Sequence, residues 1–291
     1  MTRGKLIAAF CKGEVLQRQI DSYKSQVNPD KFDVWWLGQS GFLIQWNQQC
    51  LLLDPYLSDS LTKKYASTEK PHVRMSELVI TPQLLNQIDV VTSSHNHTDH
   101  LDAETLKPIL TANPSIDFVI PEANREFVCE RVGCAPDFPI GLSDGQKVKV
   151  KSFALHGVPA AHNLVERNKK GQCKFMGYIA EFGKWRIYHS GDTMWYDNIV
   201  DVLKPFDIDI AFLPINGNDP SRGVAGNLSS TEAARLGKAI GARLVIPHHY
   251  DMFEFNTTDP EEFVKAAQDM NQPQKVLKHG EHLSFPSLTA N

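Results

Sequence analysis

Short apolar runs separated by turn residues dominate the first part of the chain, after an amphipathic beginning. Residues 4–25 combine apolar and charged positions at helical spacing, which predicts a helix that packs on the outside of the main domain. Apolar runs at 34–37, 42–46 and 50–55 follow with short connections, a pattern typical of an antiparallel meander. Residues 56–85 carry charges and two prolines without regular spacing, and a long loop of this kind beside an active site is often functional.

The rest of the chain mixes strands with helices. Each predicted helix begins at a side chain suited to cap it, namely Asp102, Ser229 and Asp259. These caps predict helices over 103–111, over 229–240 and from 259 onwards. Strands are predicted at 118–120, 148–155, 176–182, 185–189, 208–213, 244–246, 275–278 and 283–285.

This order of elements predicts the fold class. A strand-rich half, a polar loop, a second strand-rich half and inserted helices favour an α+β protein. The specific prediction is a four-layer αββα sandwich, with two sheets face to face and helices on the outside. No linker rich in Pro, Gly or Ser divides the chain, so we expect an N-terminal helical extension over 1–30 and one domain over 31–291.

The overall composition is that of an ordinary soluble globular protein. The 291 residues are 42% hydrophobic and 22% charged, the net charge is −4, and no basic stripe indicates a nucleic-acid partner. No apolar run has the length of a membrane span, and the short apolar run near the N-terminus lacks the cleavage site of a signal peptide. Five cysteines without a paired framework favour the reducing cytoplasm. The apolar side of the N-terminal helix suits an intramolecular contact or a homo-oligomer equally well.

The segment His95-Asn96-His97-Thr98-Asp99-His100 is the most informative part of the chain. It places four potential metal ligands in six positions, directly after the apolar run 88–92. If the strand direction persists, alternate residues His95, His97 and Asp99 converge on one spot and His100 points to a second spot nearby. Three imidazoles and a carboxylate suit Zn²⁺, and Mn²⁺ or iron is also compatible.

Further ligands are expected at the ends of other strands. His162 lies in a loop of small residues after a strand, and we prefer it to His156, which lies nearer the strand. Asp192 follows an apolar strand, and its carboxylate has two oxygens with which to bridge two cations. In the pair 248–249, adjacent residues point in opposite directions, so at most one of the two histidines is expected in the same site.

These motifs, in this chain order, resemble the metallo-β-lactamase superfamily over nearly all of the chain beyond residue 30. The resemblance implies an αββα sandwich with two divalent metal ions, of which Zn²⁺ is favoured and Mn²⁺ is compatible. It implies that Asp54 supports the site from behind the ligands. The implied ligands are His95, His97 and His162 for one cation, Asp99, His100 and His249 for the other, and Asp192 as the bridge between them.

Finer motifs resemble particular branches of that superfamily. Segments 35–42, 188–192 and 246–251 are similar to the L-ascorbate-6-phosphate lactonase group. This similarity implies a hydrolase in which a hydroxide held between the metals opens a lactone or ester of a phosphorylated or unphosphorylated sugar-like substrate. Asp99 would then move the proton, and Arg222 is the candidate to hold a phosphate.

Two other functions are also compatible with the sequence. The histidine segment and the Gly191-Asp192-Thr193 motif also resemble the N-acyl-phosphatidylethanolamine phospholipase D branch, which implies a phosphodiesterase of that type or one acting on nucleotides. A non-enzymatic relative of the same fold is the third interpretation. A degraded member of that kind would lack ligands, and all seven implied ligands are present here.

Overall fold

The computed structural model describes residues 6–286 of the chain. The helices in that range are α1 (Gly13–Lys24), α2 (Ser60–Lys64), α3 (Ala103–Ala112), α4 (Arg125–Val132), α5 (Ile199–Leu203), α6 (Ser230–Ile240) and α7 (Pro260–Asp269). The strands are β1 (Phe32–Gly38), β2 (Gly41–Trp46), β3 (Gln49–Leu53), β4 (Val90–Thr92), β5 (Asp117–Pro121), β6 (Ile140–Leu142), β7 (Lys147–Val150), β8 (Phe153–Pro159), β9 (Met176–Phe182), β10 (Trp185–His189), β11 (Ile210–Pro214), β12 (Leu244–His248) and β13 (His282–Phe285). None of the described helices is both long and apolar enough to cross a membrane.

Two mixed sheets form the centre of the molecule. The first has the strand order β13-β1-β2-β3-β4-β5-β6, and the second has the order β12-β11-β10-β9-β8-β7. Strands β1, β2 and β3 form the predicted antiparallel meander, and β3 to β6 then run parallel. In the second sheet β10, β11 and β12 run parallel, so the loops that follow β10 and β12 leave from the same edge.

Strand β1 shows how the layers are built from alternating side chains. Val34 and Trp36 pack in the core between the two sheets, whereas Trp35 points to the opposite face, beneath α1 and α3. Across the central core, the rings of Phe42 and Phe212 lie 4.1 Å apart between centroids. Full burial of a large apolar side chain stabilises the fold by about 1.5–3 kcal/mol. Helices α6 and α7 cover the second sheet, which completes the predicted αββα order and confirms the fold class.

The N-terminal segment differs from the predicted helix over 4–25. Helix α1 begins only at Gly13, and the backbone of Ile7 pairs with Ser76 before it. Residues 4 and 5 lie outside the described part of the chain. Leu16 and Ile20 of α1 are buried against the first sheet, which makes this an intramolecular contact. The boundary near residue 30 and a contact between subunits stay predictions.

Several predicted elements are wrong or incomplete. The run 148–155 is not one strand, because Lys151 adopts a φ of 52° and turns the chain between antiparallel β7 and β8. Such turns usually contain Gly, Asn or Asp, so no residue type in this stretch indicates the turn. No strand forms at 275–278. Helix α2 within 56–85, helices α4 and α5 and strand β6 are present in the structure but are not predicted from the sequence.

Candidate metal centre

The candidate ligands all follow the ends of strands β4, β8, β10 and β12. Tyr178 on β9 donates a hydrogen bond from its hydroxyl to the carbonyl oxygen of Ser93, 2.9 Å away, which holds the segment that leaves β4. Gly191, directly before Asp192, has a φ of 58°, and a Cβ there would lie 2.7 Å from the Met176 carbonyl oxygen. Only glycine fits this position, so the chain can present Asp192 close to the histidine segment.

Three imidazoles form the first ligand group. The ring centroids of His95 and His97 are 4.7 Å apart, and His162 lies 5.4 Å from His95 and 4.9 Å from His97. One nitrogen from each of these rings lies within 4.8 Å of the others, so the three can hold one metal ion. His95 and His162 are buried, whereas His97 is exposed to the cavity above.

Two carboxylates and two imidazoles form the second ligand group: Asp99, His100, Asp192 and His249. The Nε2 atoms of His100 and His249 lie 3.3 Å apart. Asp192 Oδ1 lies 2.7 Å from His249 Nε2 and 3.1 Å from His100 Nε2, whereas its Oδ2 lies 3.6 Å from His162 Nε2. Asp192 therefore turns one carboxylate oxygen towards each ligand group.

The segment 95–100 does not place Asp99 with His95 and His97, as strict strand alternation predicts. The backbone amides of His100 and Leu101 both donate to the carbonyl oxygen of His97, at 3.1 and 2.8 Å. The chain therefore turns after His97 instead of continuing as an extended strand. The turn places Asp99 beside His100 in the second group and leaves His95 and His97 together in the first.

In His100, His162 and His95 the ring nitrogen Nδ1 already has a polar contact, which leaves Nε2 free to bind a metal. His100 Nδ1 donates to Asp54 Oδ2 at 2.7 Å, and His162 Nδ1 donates to the Gly226 carbonyl oxygen at 2.8 Å. His95 Nδ1 contacts Ser94 Oγ at 3.0 Å, and its buried Nε2 has no hydrogen-bond partner. Metal-ligating histidines characteristically bond through their second nitrogen in this way. The donor set therefore fits divalent cations, and Asp54 lies where the resemblance implies.

The charge states of His95 and Asp192 agree with cation binding, whereas burial would lower the pKa of His100 but Asp192 and Asp99 outweigh it and raise that pKa well above its ordinary value. Burial, reinforced by the His100 and His97 imidazoles, lowers the pKa of His95 well below its ordinary value. Burial alone would raise the pKa of Asp192, but His249 and His100 outweigh it and hold that pKa well below its usual range. A neutral imidazole and an ionised carboxylate are the forms that bind metal.

Gln39 is a residue of the site that the sequence argument missed. Its side-chain Nε2 donates to Asp99 Oδ2 at 2.8 Å and lies 3.1 Å from His249 Nδ1. The only sequence signal was its place in the turn Gly38-Gln39-Ser40-Gly41, where glutamine is not a typical turn residue.

The remaining histidines that the sequence singled out lie elsewhere. His156 Nε2 lies 2.8 Å from Glu181 Oε2 on the neighbouring strand, outside both ligand groups. His248 is buried and stacks on His189 with the rings 5.3 Å apart and nearly parallel. His249, not His248, belongs to the second ligand group.

A cavity of about 410 Å³ opens over the ligands. The segment 56–85 contributes Leu61, Lys64, Tyr65, Lys70 and His72 to its wall. Arg222 is not among the lining residues, because its terminal nitrogens donate to Asn256 Oδ1 at 2.8 Å and to the Asn216 carbonyl oxygen at 2.6 Å. A phosphate contact by Arg222 stays a prediction.

The αββα sandwich and its strand-end histidines and aspartates define a metallo-β-lactamase type of protein. A family model described as a Beta-lactamase superfamily domain matches residues 33–249. The chain therefore belongs to the beta-lactamase superfamily, and it is a metal-dependent hydrolase of that superfamily.

Individual relatives agree with this assignment. A protein named probable L-ascorbate-6-phosphate lactonase, from Escherichia coli O127:H6, is 25% identical over an alignment that covers 92% of this chain and 82% of the relative. An isothiocyanate hydrolase from Delia radicum gut bacteria has a similar structure, with a TM-score of 0.70 at 18% identity over 87% of this chain and 99% of that one. Igni18, a metallo hydrolase from Ignicoccus hospitalis, has a TM-score of 0.64 at 20% identity over 88% of this chain and 98% of that one. At these identities the two solved structures show the shared fold.

Proposed function

We propose that the chain is a binuclear hydrolase that opens a lactone or ester bond in a sugar-like substrate, with or without a phosphate. The observation that carries the proposal is Asp192, with Oδ1 at 2.7 Å from His249 Nε2 and Oδ2 at 3.6 Å from His162 Nε2. A buried carboxylate that faces two ligand groups suits two cations better than one. The relatives named as lactonases support a lactone as the reacting group.

The ligands divide between the two cations as the resemblance implies. His95, His97 and His162 would hold one cation, and Asp99, His100 and His249 would hold the other, with Asp192 between them. Zn²⁺ fits this histidine-rich set best, and Mn²⁺ is compatible. When bound, two such cations act as Lewis acids and lower the pKa of a water to about 7.

Asp99 handles the proton in this proposal. Its side chain is 17% exposed and lines the cavity, so it is in reach of a bound substrate. The hydrogen bond from Gln39 Nε2 to Asp99 Oδ2 fixes the orientation of the carboxylate. We assign Asp99 to accept the proton of the attacking water and to pass it to the leaving alkoxide.

A phosphate on the substrate would meet cationic side chains in the cavity. Lys64, Lys70 and Arg131 line it, and none of the three forms a salt bridge with a described carboxylate. Lys70 Nζ and Arg131 Nη1 donate to backbone carbonyl oxygens, which fixes their positions without neutralising their charge. Lys64 has no such hydrogen bond among residues 6–286, so it is the cation best able to move towards a ligand.

The remaining expectations concern the partner and the compartment. The cavity suits a small-molecule substrate, as the relatives' names also indicate. All five cysteines are free, which supports a reducing compartment such as the cytoplasm.

The test combines metal content with a substrate screen. We expect wild-type protein to hydrolyse a sugar lactone, and Asp192→Ala to lose both turnover and cation uptake. Asp197→Ala is the matched control, because Asp197 is exposed in the same loop and belongs to neither ligand group. Turnover of bis(p-nitrophenyl) phosphate without lactone turnover would replace this proposal with the phosphodiesterase. Full activity of Asp192→Ala would refute the ligand assignment.

A further inference from the structure

Gln39 contacts His249 through both its backbone and its side chain. The Gln39 carbonyl oxygen accepts a hydrogen bond from the His249 amide nitrogen at 3.3 Å. The Gln39 side-chain Nε2 lies 3.1 Å from His249 Nδ1 and 2.8 Å from Asp99 Oδ2. One residue therefore constrains the main chain and the ring of one candidate ligand and the carboxylate of another.

The backbone at this contact is held in an uncommon conformation. Gln39 has a φ of 49° and His249 has a φ of 63°, both in the left-handed region that non-glycine residues seldom adopt. Such a conformation is strained and persists only where its surroundings enforce it. Trp36 supplies part of that enforcement, because its Nε1 donates to the Gln39 carbonyl oxygen at 3.0 Å and its ring stacks on Tyr250 at 4.4 Å.

The side chain of Gln39 lacks hydrogen bonds that a residue with only a structural role would be expected to make. It is 1% exposed, and its Oε1 is buried without a hydrogen-bond partner. Burying an unsatisfied polar atom is unfavourable, and an apolar side chain of similar size would avoid this cost. The hydrogen bonds that Gln39 Nε2 makes go to the second ligand group, and none goes to His95, His97 or His162.

We propose that Gln39 is a positioning residue that sets the affinity of the second cation site, formed by Asp99, His100, Asp192 and His249. By holding the Asp99 carboxylate through its Nε2 and the His249 main chain through its carbonyl oxygen before a cation arrives, it reduces the reorganisation that binding would otherwise require. The first site, formed by His95, His97 and His162, does not depend on it. The inference rests on the proposed binuclear function.

The experiment titrates metal-free protein with Co²⁺ and follows both visible absorption and bound metal by elemental analysis. Gln39→Met keeps the approximate size of the side chain and removes its hydrogen bonds. We expect the first binding event at wild-type affinity and the second weakened by about 10- to 100-fold, the usual effect of losing a residue that orients metal ligands. Gln45→Met is the matched control, because Gln45 is a buried glutamine on β2 whose amide contacts no ligand. The control should bind both cations as the wild type does.

A second variant separates shape from hydrogen bonding. Gln39→Leu changes the shape of the side chain and also removes the hydrogen-bond donor without adding a charge, so it should also weaken only the second event. Equal weakening of both events, or a second event at wild-type affinity in Gln39→Met, would overturn the inference. A wild-type protein that binds a single Co²⁺ would overturn the binuclear proposal as well, so the two failures are distinguishable.

Discussion

Asp54 offers a graded test of how the protein prepares one ligand for a cation. It is fully buried, its Oδ2 accepts from His100 Nδ1 at 2.7 Å, and its Oδ1 accepts from Thr92 Oγ1 at 3.0 Å. Asp54→Asn removes the charge but keeps the shape, and asparagine tolerates the φ of 40° at this position. Asp54→Ala removes the acceptor altogether.

The expected losses follow from the kind of hydrogen bond that is lost. A hydrogen bond to a charged group contributes about 1.5–3 kcal/mol and a neutral one about 0.5–1.5 kcal/mol. Asp54→Asn should therefore cost about 1–2 kcal/mol in orienting His100, and Asp54→Ala about 1.5–3 kcal/mol. At about 1.4 kcal/mol per tenfold change, these correspond to roughly 5- to 30-fold and roughly 10- to 140-fold weaker binding of a cation at the second site.

The assay is competition for Zn²⁺ against a chelator of known affinity, with thermal unfolding of the metal-free proteins measured alongside. Asp209→Asn is the control, because Asp209 is also buried and accepts a hydrogen bond from the Arg186 amide at 2.8 Å, but it precedes β11 and belongs to neither ligand group. It should lower stability without changing Zn²⁺ affinity. If Asp54→Asn and Asp54→Ala bound Zn²⁺ as the wild type does, His100 would not depend on Asp54 and this reasoning would be wrong.

Two further predictions concern the cavity and the acid stability of the fold. Lys64→Gln should raise KM for a phosphorylated lactone more than for the unphosphorylated lactone. Lys63→Gln is the control and should not do so, because Lys63 pairs with Glu104 and does not line the cavity. Equal KM changes for both lactones in Lys64→Gln would contradict a role for Lys64 in binding the phosphate. Partial burial favours a raised pKa for Glu181, but Lys147 and His156 outweigh it and lower the pKa from 4.5 to about 2. Because a depressed carboxyl pKa adds stability above the unfolded value, Glu181→Gln should reduce the free energy of unfolding near neutral pH, and the deficit should shrink as pH falls towards about 2. Urea unfolding of the wild type and Glu181→Gln, near neutral pH and again near the lowered pKa of Glu181, checks this prediction. A loss of unfolding free energy that is the same at both pH values would refute it.

The fold was predictable because its signals are local. The meander of β1, β2 and β3 follows from apolar runs with short turns, and the capping box at Ser229 does mark the start of α6. The hairpin of β7 and β8 was not predictable, because Lys151 supplies a positive φ without a turn-forming side chain. Helix α4 has no clear amphipathic stripe in its sequence, because the exposed Phe127 stands beside the buried Val128 and Cys129 and spreads apolar positions around the helix.

The candidate site was predictable to the extent that its chemistry is visible in residue types. Histidines and aspartates at strand ends mark the candidate ligands, but their division into two groups depends on the turn after His97, which simple alternation cannot capture. Gln39 escaped notice because an amide is not a typical ligand and its role comes from contacts made across the fold with Asp99 and His249. Whether a positively charged side chain faces the cavity likewise depends on tertiary contacts. Arg222 is held away from the cavity by its hydrogen bonds, whereas Lys64 lines it.

The most direct test of the central claim is the number of metal ions that the purified protein holds after reconstitution with Zn²⁺ or Mn²⁺. The two ligand groups, joined by Asp192, predict two ions per chain, with one lost when His249 is replaced and both lost when Asp192, which faces both groups, is replaced. Elemental analysis against protein concentration measures this. Two ions per chain would support the binuclear site, and a protein that binds one ion or none under both conditions would contradict it.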